Sequence, residues 1–446
     1  MTSSATIVVD LSFGDAGKGT TVEFLASQAE STAVVRYNGG PQAAHTVVLP
    51  DGRSHTFAQF GSASLRPGTV THLSQDMLIN PLTMYPEADH LIDMGVYDIW
   101  SRTSVDYRAQ IITPWHRAAN RLRETARGTH RHGSTGHGVG EAIMDSYLYP
   151  QHCLTTGDLY RDDLVERLDA ARLTKRAQAS AWPGLDLSGE DWHILNDVGL
   201  SRLIADRYRE WASQVKIAHG DYLATLAVEY EQLVFEGAQG VLLDEMWGFH
   251  PHTTWSNVTA GNARRLLGEI GYQGPVKTLG VLRTATTRHG AGPLPGEDSA
   301  LTAALPEPHN PTSDWAGSFR VGHFDALLHR YASHIVGGVD GLVLTHLDRL
   351  GNQWGTVTSY DASSVKEADR YFVGDVHGVS DIKLGAYGDL PHQAGLTDAL
   401  RAVRPVVAQM SSAPETVIKA VEDALGVPVV ITSSGPTLDD KLVRRG

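Results

Sequence analysis

Asp15, Lys18 and His45 are the side chains near the amino terminus best suited to phosphoryl chemistry. The first two lie in Gly14-Asp15-Ala16-Gly17-Lys18-Gly19-Thr20, directly after an apolar run. Glycines let a backbone approach phosphates closely, and a helix that follows offers free N–H groups and its positive dipole end. Lys18 would add a point charge. A carboxylate inside such a cradle repels the ligand unless Asp15 binds Mg²⁺ or takes a proton from a reacting group. The spacing is not that of a Walker A loop, which requires Gly where Ser12 stands, so a general ATPase or switch GTPase is disfavoured. The plain alternative is a strand-to-helix turn whose glycines serve packing only.

A second loop, Arg36-Tyr37-Asn38-Gly39-Gly40-Pro41-Gln42-Ala43-Ala44-His45-Thr46, follows another β-branched run. There His45 could bond a phosphate and donate a proton, or be an ordinary polar loop residue, and Gln42 could read a base edge or tie down the turn. Gly133-Ser134-Thr135-Gly136-His137-Gly138-Val139-Gly140 again joins glycines to hydroxyls suited to phosphate, or is a surface turn. A fourth element, Phe235-Glu236-Gly237-Ala238-Gln239-Gly240, continues to Thr253-Thr254-Trp255-Ser256-Asn257. Its Gln239 and hydroxyls could position a nucleotide, while Glu236 and Gln239 could equally satisfy loop backbone. His250-Pro251-His252 and His130-Arg131-His132 lack the adjoining Cys or carboxylate of a zinc site and read as scattered loop histidines.

The elements that must hold these loops alternate between short β-branched runs and longer amphipathic segments. That pattern predicts an α/β fold with a mostly parallel central sheet flanked by helices. Candidate buried strands are Ile7-Val8-Val9, Ala33-Val34-Val35, Leu233-Val234-Phe235, Leu342-Val343-Leu344 and Val429-Val430-Ile431. Helical stripes are Phe324, Leu327, Leu328, Tyr331, Ile335 and Leu164, Val165, Leu168, Ala171. Pro414 starts a third helix carrying Val417, Ile418, Val421 and Leu425, and Gly426 stops it. With neither repeat nor long linker, residues 1–446 read as a single elaborated α/β domain. The least regular segment, Pro293 to Gly317 with five prolines, reads as a mobile loop over the site.

Composition narrows the class. The 446 residues are 41% hydrophobic and 20% charged, which excludes a disordered chain, and the formal charge of −14 argues against attachment to a nucleic-acid backbone. Cys153 is the only cysteine, so no intramolecular disulfide forms and a reducing compartment is expected. Alone it gives no basis for nucleophilic catalysis. No basic segment precedes an apolar one at the amino terminus, and no apolar stretch approaches the ~20 residues that cross a bilayer. A soluble, cytoplasmic protein is expected.

In their order, these motifs resemble those of the adenylosuccinate synthetase family, purine-pathway ligases that join IMP to aspartate while hydrolysing GTP. The resemblance runs from about Ile7 to Pro436. Its further anchors are Thr287-Arg288-His289-Gly290-Ala291-Gly292-Pro293, Arg320-Val321-Gly322-His323-Phe324-Asp325, Leu344-Thr345-His346-Leu347-Asp348 and Ser433-Ser434-Gly435-Pro436. It implies a P-loop-related fold in which Asp15 is the base that takes the N1 proton of IMP and contacts Mg²⁺. His45 would be the general acid near the GTP phosphates, and Lys18 would offset charge during transfer to O6. Asn38, Gln42, Thr135, Gln239 and Thr254 fall where the family holds the nucleoside monophosphate. Gly14, Gly17, Gly19, Thr20, His346, Asp348, Ser433, Gly435 and Pro436 fall on the GTP site, Asp348 as the guanine reader. Thr312, Ser313, Ser318 and Arg320 belong to the amine-donor loop, and Ala44 stands at a carbonyl that serves the metal. Mg²⁺, GTP as co-substrate, an amino acid and a homodimer follow, with no nucleic-acid or membrane partner.

The chain also departs from the family. Where a Gly-Arg-x-Arg-Arg run is usual it reads Trp315-Ala316-Gly317-Ser318-Phe319-Arg320, retaining only Arg320 and losing two guanidiniums that would grip a dicarboxylate. Ser146-Tyr147-Leu148-Tyr149 occupies the neighbourhood of the arginine that reaches a partner subunit's nucleotide. His346 replaces the guanine-stacking lysine, Ala16 an acidic residue and Ala44 a glycine. The leading expectation is an IMP–aspartate ligase; a relative with another amine donor or nucleotide, and a catalytically idle nucleotide-binding protein, are the alternatives.

Overall fold

The computed structural model describes residues 3–128, 131–185, 187–307, 317–351 and 353–444. Its frame is a ten-stranded sheet. All five expected strands lie in it, within Ser4–Asp10, Thr32–Arg36, Gln232–Glu236, Gly341–Thr345 and Val429–Ser433. Ser4–Asp10 is central, paired in parallel with Gln232–Glu236 on one side and Val276–Arg283 on the other. The sheet continues through Thr32–Arg36, Thr69–Leu73, Thr103–Asp106 and Lys216–Ala218 at one end. At the other it runs through Gly341–Thr345 and Val429–Ser433 to Lys441–Val443, whose pairing alone is antiparallel.

Helices cover both faces, so the strands are apolar on both. Ile7 and Val9 enter one core cluster while Val8 between them enters another, and Phe235 and Val234 divide likewise. Each such side chain contributes about 1.5–3 kcal/mol on burial. The functional consequence is directional. Because the strands run parallel, the loops after Asp10, Arg36, Glu236, Arg283, Thr345 and Ser433 all emerge at one edge, the carboxyl edge where open α/β sheets bind ligands.

The helix Ala326–Val336 carries the expected stripe, with Phe324 just ahead of it in a short strand. The Asp325 carboxylate caps it by accepting from the N–H groups of Leu327 and Leu328, and Gly337 ends it at φ 79°. Pro414–Leu425 begins at the proline and stops at Gly426 as anticipated. Leu164–Ser180 runs well past its apolar stripe because Lys175, fully buried, meets the carboxylates of Glu141 and Asp145 at 2.9 and 2.7 Å. A smaller five-stranded sheet contains Phe324–Asp325, Gln353–Asp361, Phe372–Asp375, Gly378–Ile382 and Arg404–Ser411. One core cluster joins it to the large sheet.

The stretch expected to be irregular, 293–317, contains the helix Ser299–Ala304, capped by the Asp298 side chain. Thr312 and Ser313, assigned to the amine-donor loop, lie outside the described residues, as does His130. No helix among the described residues is long and apolar enough to cross a membrane.

Candidate active site

The first loop is built around a carboxylate that sequence reasoning passed over. Asp10, 1% exposed at the end of the first strand, accepts from the backbone N–H groups of Ser12, Gly14 and Ala16 at 2.9, 3.3 and 3.0 Å. It also holds the Lys18 ammonium at 3.0 Å. The loop must curl tightly to present those groups, and Gly14, Asp15 and Gly17 all take positive φ. The helix Lys18–Ala26 then starts at Gly17 with no side-chain cap, leaving its first N–H groups facing the cleft.

Asp15 keeps part of its surface open to that cleft. Burial of its surroundings raises its carboxyl above the usual 3.8, opposed by the nearby charges of Lys18 and Arg283. A base that must take a proton gains from this, because a carboxylate in dry surroundings holds one more readily.

His45 stands at the start of the strand His45–Val48, in a hairpin with Ser54–Phe57, rather than in the loop where it was expected. It faces the phosphate loop closely. A Cβ added at Gly19 would come within 2.7 Å of the His45 Cβ and 3.0 Å of Ser62 Oγ, so glycine is required there. Its Nδ1 lies 2.5 Å from Glu236 Oε1, and Glu236 also accepts from the Ser62 N–H at 2.9 Å and from the Ser62 hydroxyl. Burial, helped by Arg36 and Lys18, lowers the imidazole to about 4 against the upward pull of Glu236. Burial alone would push the Glu236 carboxyl up, but Arg36, His45 and Ser62 outweigh it and hold it low. In the unliganded chain His45 is therefore neutral with Nδ1–H donating to Glu236. A triphosphate arriving beside it adds the negative charge that raises its affinity for a proton. Asp15 and Lys18 share one loop and Gly19 beside them packs against His45, so the three expected catalytic groups lie together.

On the monophosphate side, Asn38 is spent internally. Its amide accepts from the Ala238 N–H at 2.7 Å and donates to the carbonyls of Ala238 and Asn257, tying the second loop to the fourth. Gln42 is the opposite case: both its amide atoms are buried without a partner, as is Gln239 Oε1. Gln239 itself sits at φ 55°. Such orphaned groups are costly unless a ligand completes them. Beside them a cavity of about 230 Å³ is lined in part by Leu78, Trp255, Ser256 and Asn257. Thr254 forms part of the loop that the Asp244 carboxylate gathers through Met246, Trp247 and Val258 N–H groups. Thr135 is exposed in the third loop, whose Gly133 and Ser134 N–H groups reach the buried Glu124.

The expected GTP residues cluster at the neighbouring strand ends. The Thr345 hydroxyl donates to the Ala16 carbonyl at 2.8 Å, which brings His346, at φ 62°, against the phosphate loop. Burial and the neighbouring Arg283 and Arg349 hold the His346 ring well below 6.5, so it replaces a cationic lysine with a neutral ring. Asp348 follows in the turn Leu347–Arg349 and is exposed. Ser433 Oγ donates to the Gly435 carbonyl, and Pro436 accepts from the Thr20 hydroxyl at 3.1 Å. Lys441, which no motif singled out, anchors this turn through Thr20 and the Thr437 carbonyl; burial pulls its ammonium down to about 8.

The loop expected to hold the amine donor differs most from expectation. Arg320 donates to the carbonyls of Gly290 and Gly292 and pairs with Glu297 at 2.6 Å, so its guanidinium braces the hairpin Thr286–His289/Phe319–Gly322 instead of standing free. The carbonyl of exposed Ser318 accepts from Gly290 N–H in the same hairpin. Cys153 is half-buried, and burial raises its thiol to about 11, consistent with no nucleophilic role.

Mg²⁺ takes one or two protein oxygens, several waters and substrate phosphates. A partly open carboxylate at Asp15 beside an N–H-lined loop fits that chemistry, with exposed Ala44 immediately before His45. Among the described residues no group of three or more metal-ligating side chains converges, which such coordination does not need.

The family model for adenylosuccinate synthetase matches residues 7–442. Adenylosuccinate synthetase of Ectopseudomonas mendocina is 30% identical over 98% of both chains, and that of Myxococcus xanthus is 30% identical over 96% of both. A fully ligated adenylosuccinate synthetase from Plasmodium falciparum superposes with a TM-score of 0.78 at 19% identity, covering 99% of each chain. A cyanophage S-2L succinoaminodeoxyadenylate synthetase bound to dGMP and dATP superposes at 0.56 with 17% identity, over 99% of this chain and 96% of that one. The order of loops along the carboxyl edge and the match over nearly the whole chain lead to one conclusion: the chain belongs to the adenylosuccinate synthetase family.

Proposed function

We propose that the chain is a GTP-dependent ligase that joins IMP to aspartate, forming adenylosuccinate, GDP and phosphate. Family membership supports this reaction and does not favour another amine donor or an idle protein. The observation that carries the residue assignments is the packing of Gly19 on His45, which puts phosphate loop and imidazole on one wall of one cleft.

In the first step Asp15 takes the N1 proton of IMP, and the purine O6 attacks the γ-phosphorus as GDP leaves. Lys18, already held by Asp10, offsets charge on the moving phosphoryl group. His45, oriented by Glu236, donates toward the phosphate oxygens. A Mg²⁺ ion at Asp15 and the Ala44 carbonyl would supply charge neutralisation for the triphosphate. In the second step the aspartate amine attacks C6 and phosphate departs with O6. Gln42 and Gln239 hold the monophosphate through amide atoms that otherwise lack partners. Asp348 reads guanine by accepting from N1–H and the exocyclic amine, a pairing adenine does not offer. We assign the enzyme to the cytoplasm, as a homodimer.

Purified protein given IMP, aspartate and GTP yields the succinyl adduct by mass spectrometry. Asp15→Asn lowers kcat by about 10²–10⁴-fold with its melting temperature retained. Absence of adduct from the wild-type protein overturns the reading.

A further inference from the structure

Two guanidiniums from elements other than the Arg320 hairpin converge beside the phosphate loop. Arg283 ends the strand Val276–Arg283, and Arg349 ends the turn after His346. Both donate to the same oxygen, Oε1 of Glu307, Arg349 at 3.0 Å. Arg349 also donates to the Pro306 carbonyl at 2.7 Å. The other terminal nitrogen of Arg283 lies 3.4 Å from the Asp15 carbonyl, so the pair adjoins the catalytic loop. Together with Thr284, Thr287 and His346 these three residues line one small pocket, which they largely fill.

Two like charges converging in so closed a place, with Arg283 6% and Glu307 11% exposed, require an anion between them. Guanidinium forks suit carboxylate and phosphate oxygens equally. The other arginines of this wall are committed elsewhere: Arg320 as described, and Arg288 to the carbonyls of Ala291, Pro293 and His252. We propose that Arg283 and Arg349 form an oxyanion subsite for a substrate of the reaction, and that Glu307 fills it in the unliganded chain as an internal competitor. The inference rests on the ligase reading for the identity of the substrate. The oxyanion is either the carboxylate of the amine donor or a phosphate of GTP.

An internal competitor lowers apparent affinity by the fraction of time it keeps the site closed. Its removal and the removal of a receptor arginine therefore act in opposite directions, whereas a permanent structural latch is impaired by both. Calorimetric titration of the full chain separates the two, using GTP, and using aspartate on protein loaded with IMP and GDP. For one of these ligands Glu307→Gln tightens binding about three- to tenfold and Arg349→Gln weakens it about tenfold, the range expected for one charge-assisted contact. A response to aspartate assigns the donor carboxylate to the subsite, and a response to GTP assigns a phosphate. Weakening by both variants, no change for either ligand, or no measurable binding to any form overturns the proposal. Should Arg349→Gln not fold, Glu307→Gln decides alone, since only a competitor's loss tightens binding. Turnover is not the readout, so wild-type protein that binds these ligands without making adduct refutes the ligase reading and leaves the subsite standing.

Discussion

Replacing Glu236 by Gln tests whether His45 works as a proton donor rather than as a wall of the pocket. The substitution keeps shape and removes one charge. In the native site the carboxylate meets His45 Nδ1 at 2.5 Å and is fixed on its other side by Ser62. A hydrogen bond to a charged group contributes about 1.5–3 kcal/mol and a neutral one about 0.5–1.5, so the imidazolium loses ~1–2 kcal/mol of support. That predicts a fall in kcat of about 5- to 30-fold. The sign on pH follows from the same loss. A carboxylate beside the ring favours its protonated form, so removing it lowers the ring's pKa by about one unit. The donor then loses its proton at lower pH, and the alkaline limb of the kcat profile moves acidward. KM for IMP changes little, because Gln42 and Gln239 are untouched. Glu236 also lies near buried Arg36, so the melting temperature is measured alongside to confirm folding. Unchanged shape and position of the alkaline limb, or an equal effect on KM for IMP, refutes the assignment.

Gln42→Leu separates binding from stability. Both amide atoms are buried without partners, so the substitution leaves the free chain as stable or more stable by about 1 kcal/mol. It nevertheless raises KM for IMP about tenfold or more, and a fall in both melting temperature and affinity contradicts the assignment. Acid stability is set by buried histidines. Burial holds His45, His72 and His329 at about 4, so their stabilisation is full above pH 6.5 and is lost as pH falls through 6.5 toward 4, when the unfolded chain takes protons the folded one refuses. Asp325 and Glu87, pushed up to about 7 by burial, act oppositely over that window. His72→Gln flattens the dependence of unfolding free energy on pH by about 1 kcal/mol per unit between pH 4.5 and 6, and an unaltered slope in denaturant titrations refutes this.

What could be read from residue order, and what could not, divides along physical lines. Strands buried on both faces announce themselves as β-branched runs, and Ile7-Val8-Val9 and Leu342-Val343-Leu344 did so. Val276–Arg283, equally central, is masked by Lys277, Thr278 and Gly280; its first two residues pair with Ala5 and Thr6 but are exposed to solvent. Thr103–Asp106 and Lys216–Ala218 are too short to show a period and take their state from the neighbours they pair with. Glycine loops are visible because close backbone approach admits little else. The charges that make them work are harder to find, since a carboxylate at a strand end looks alike whether it shapes a phosphate loop, as Asp10 does, or lies in solvent. Arg320 was legible as a retained guanidinium but not as a brace, because its acceptors are backbone carbonyls that any residue supplies. Arg283, Arg349 and Glu307 are separated by 24 and 42 positions and meet only once the strand ends lie side by side. Motifs record what contacts a ligand through neighbouring residues; groups that orient those contacts, or stand in for the ligand, are chosen by the topology.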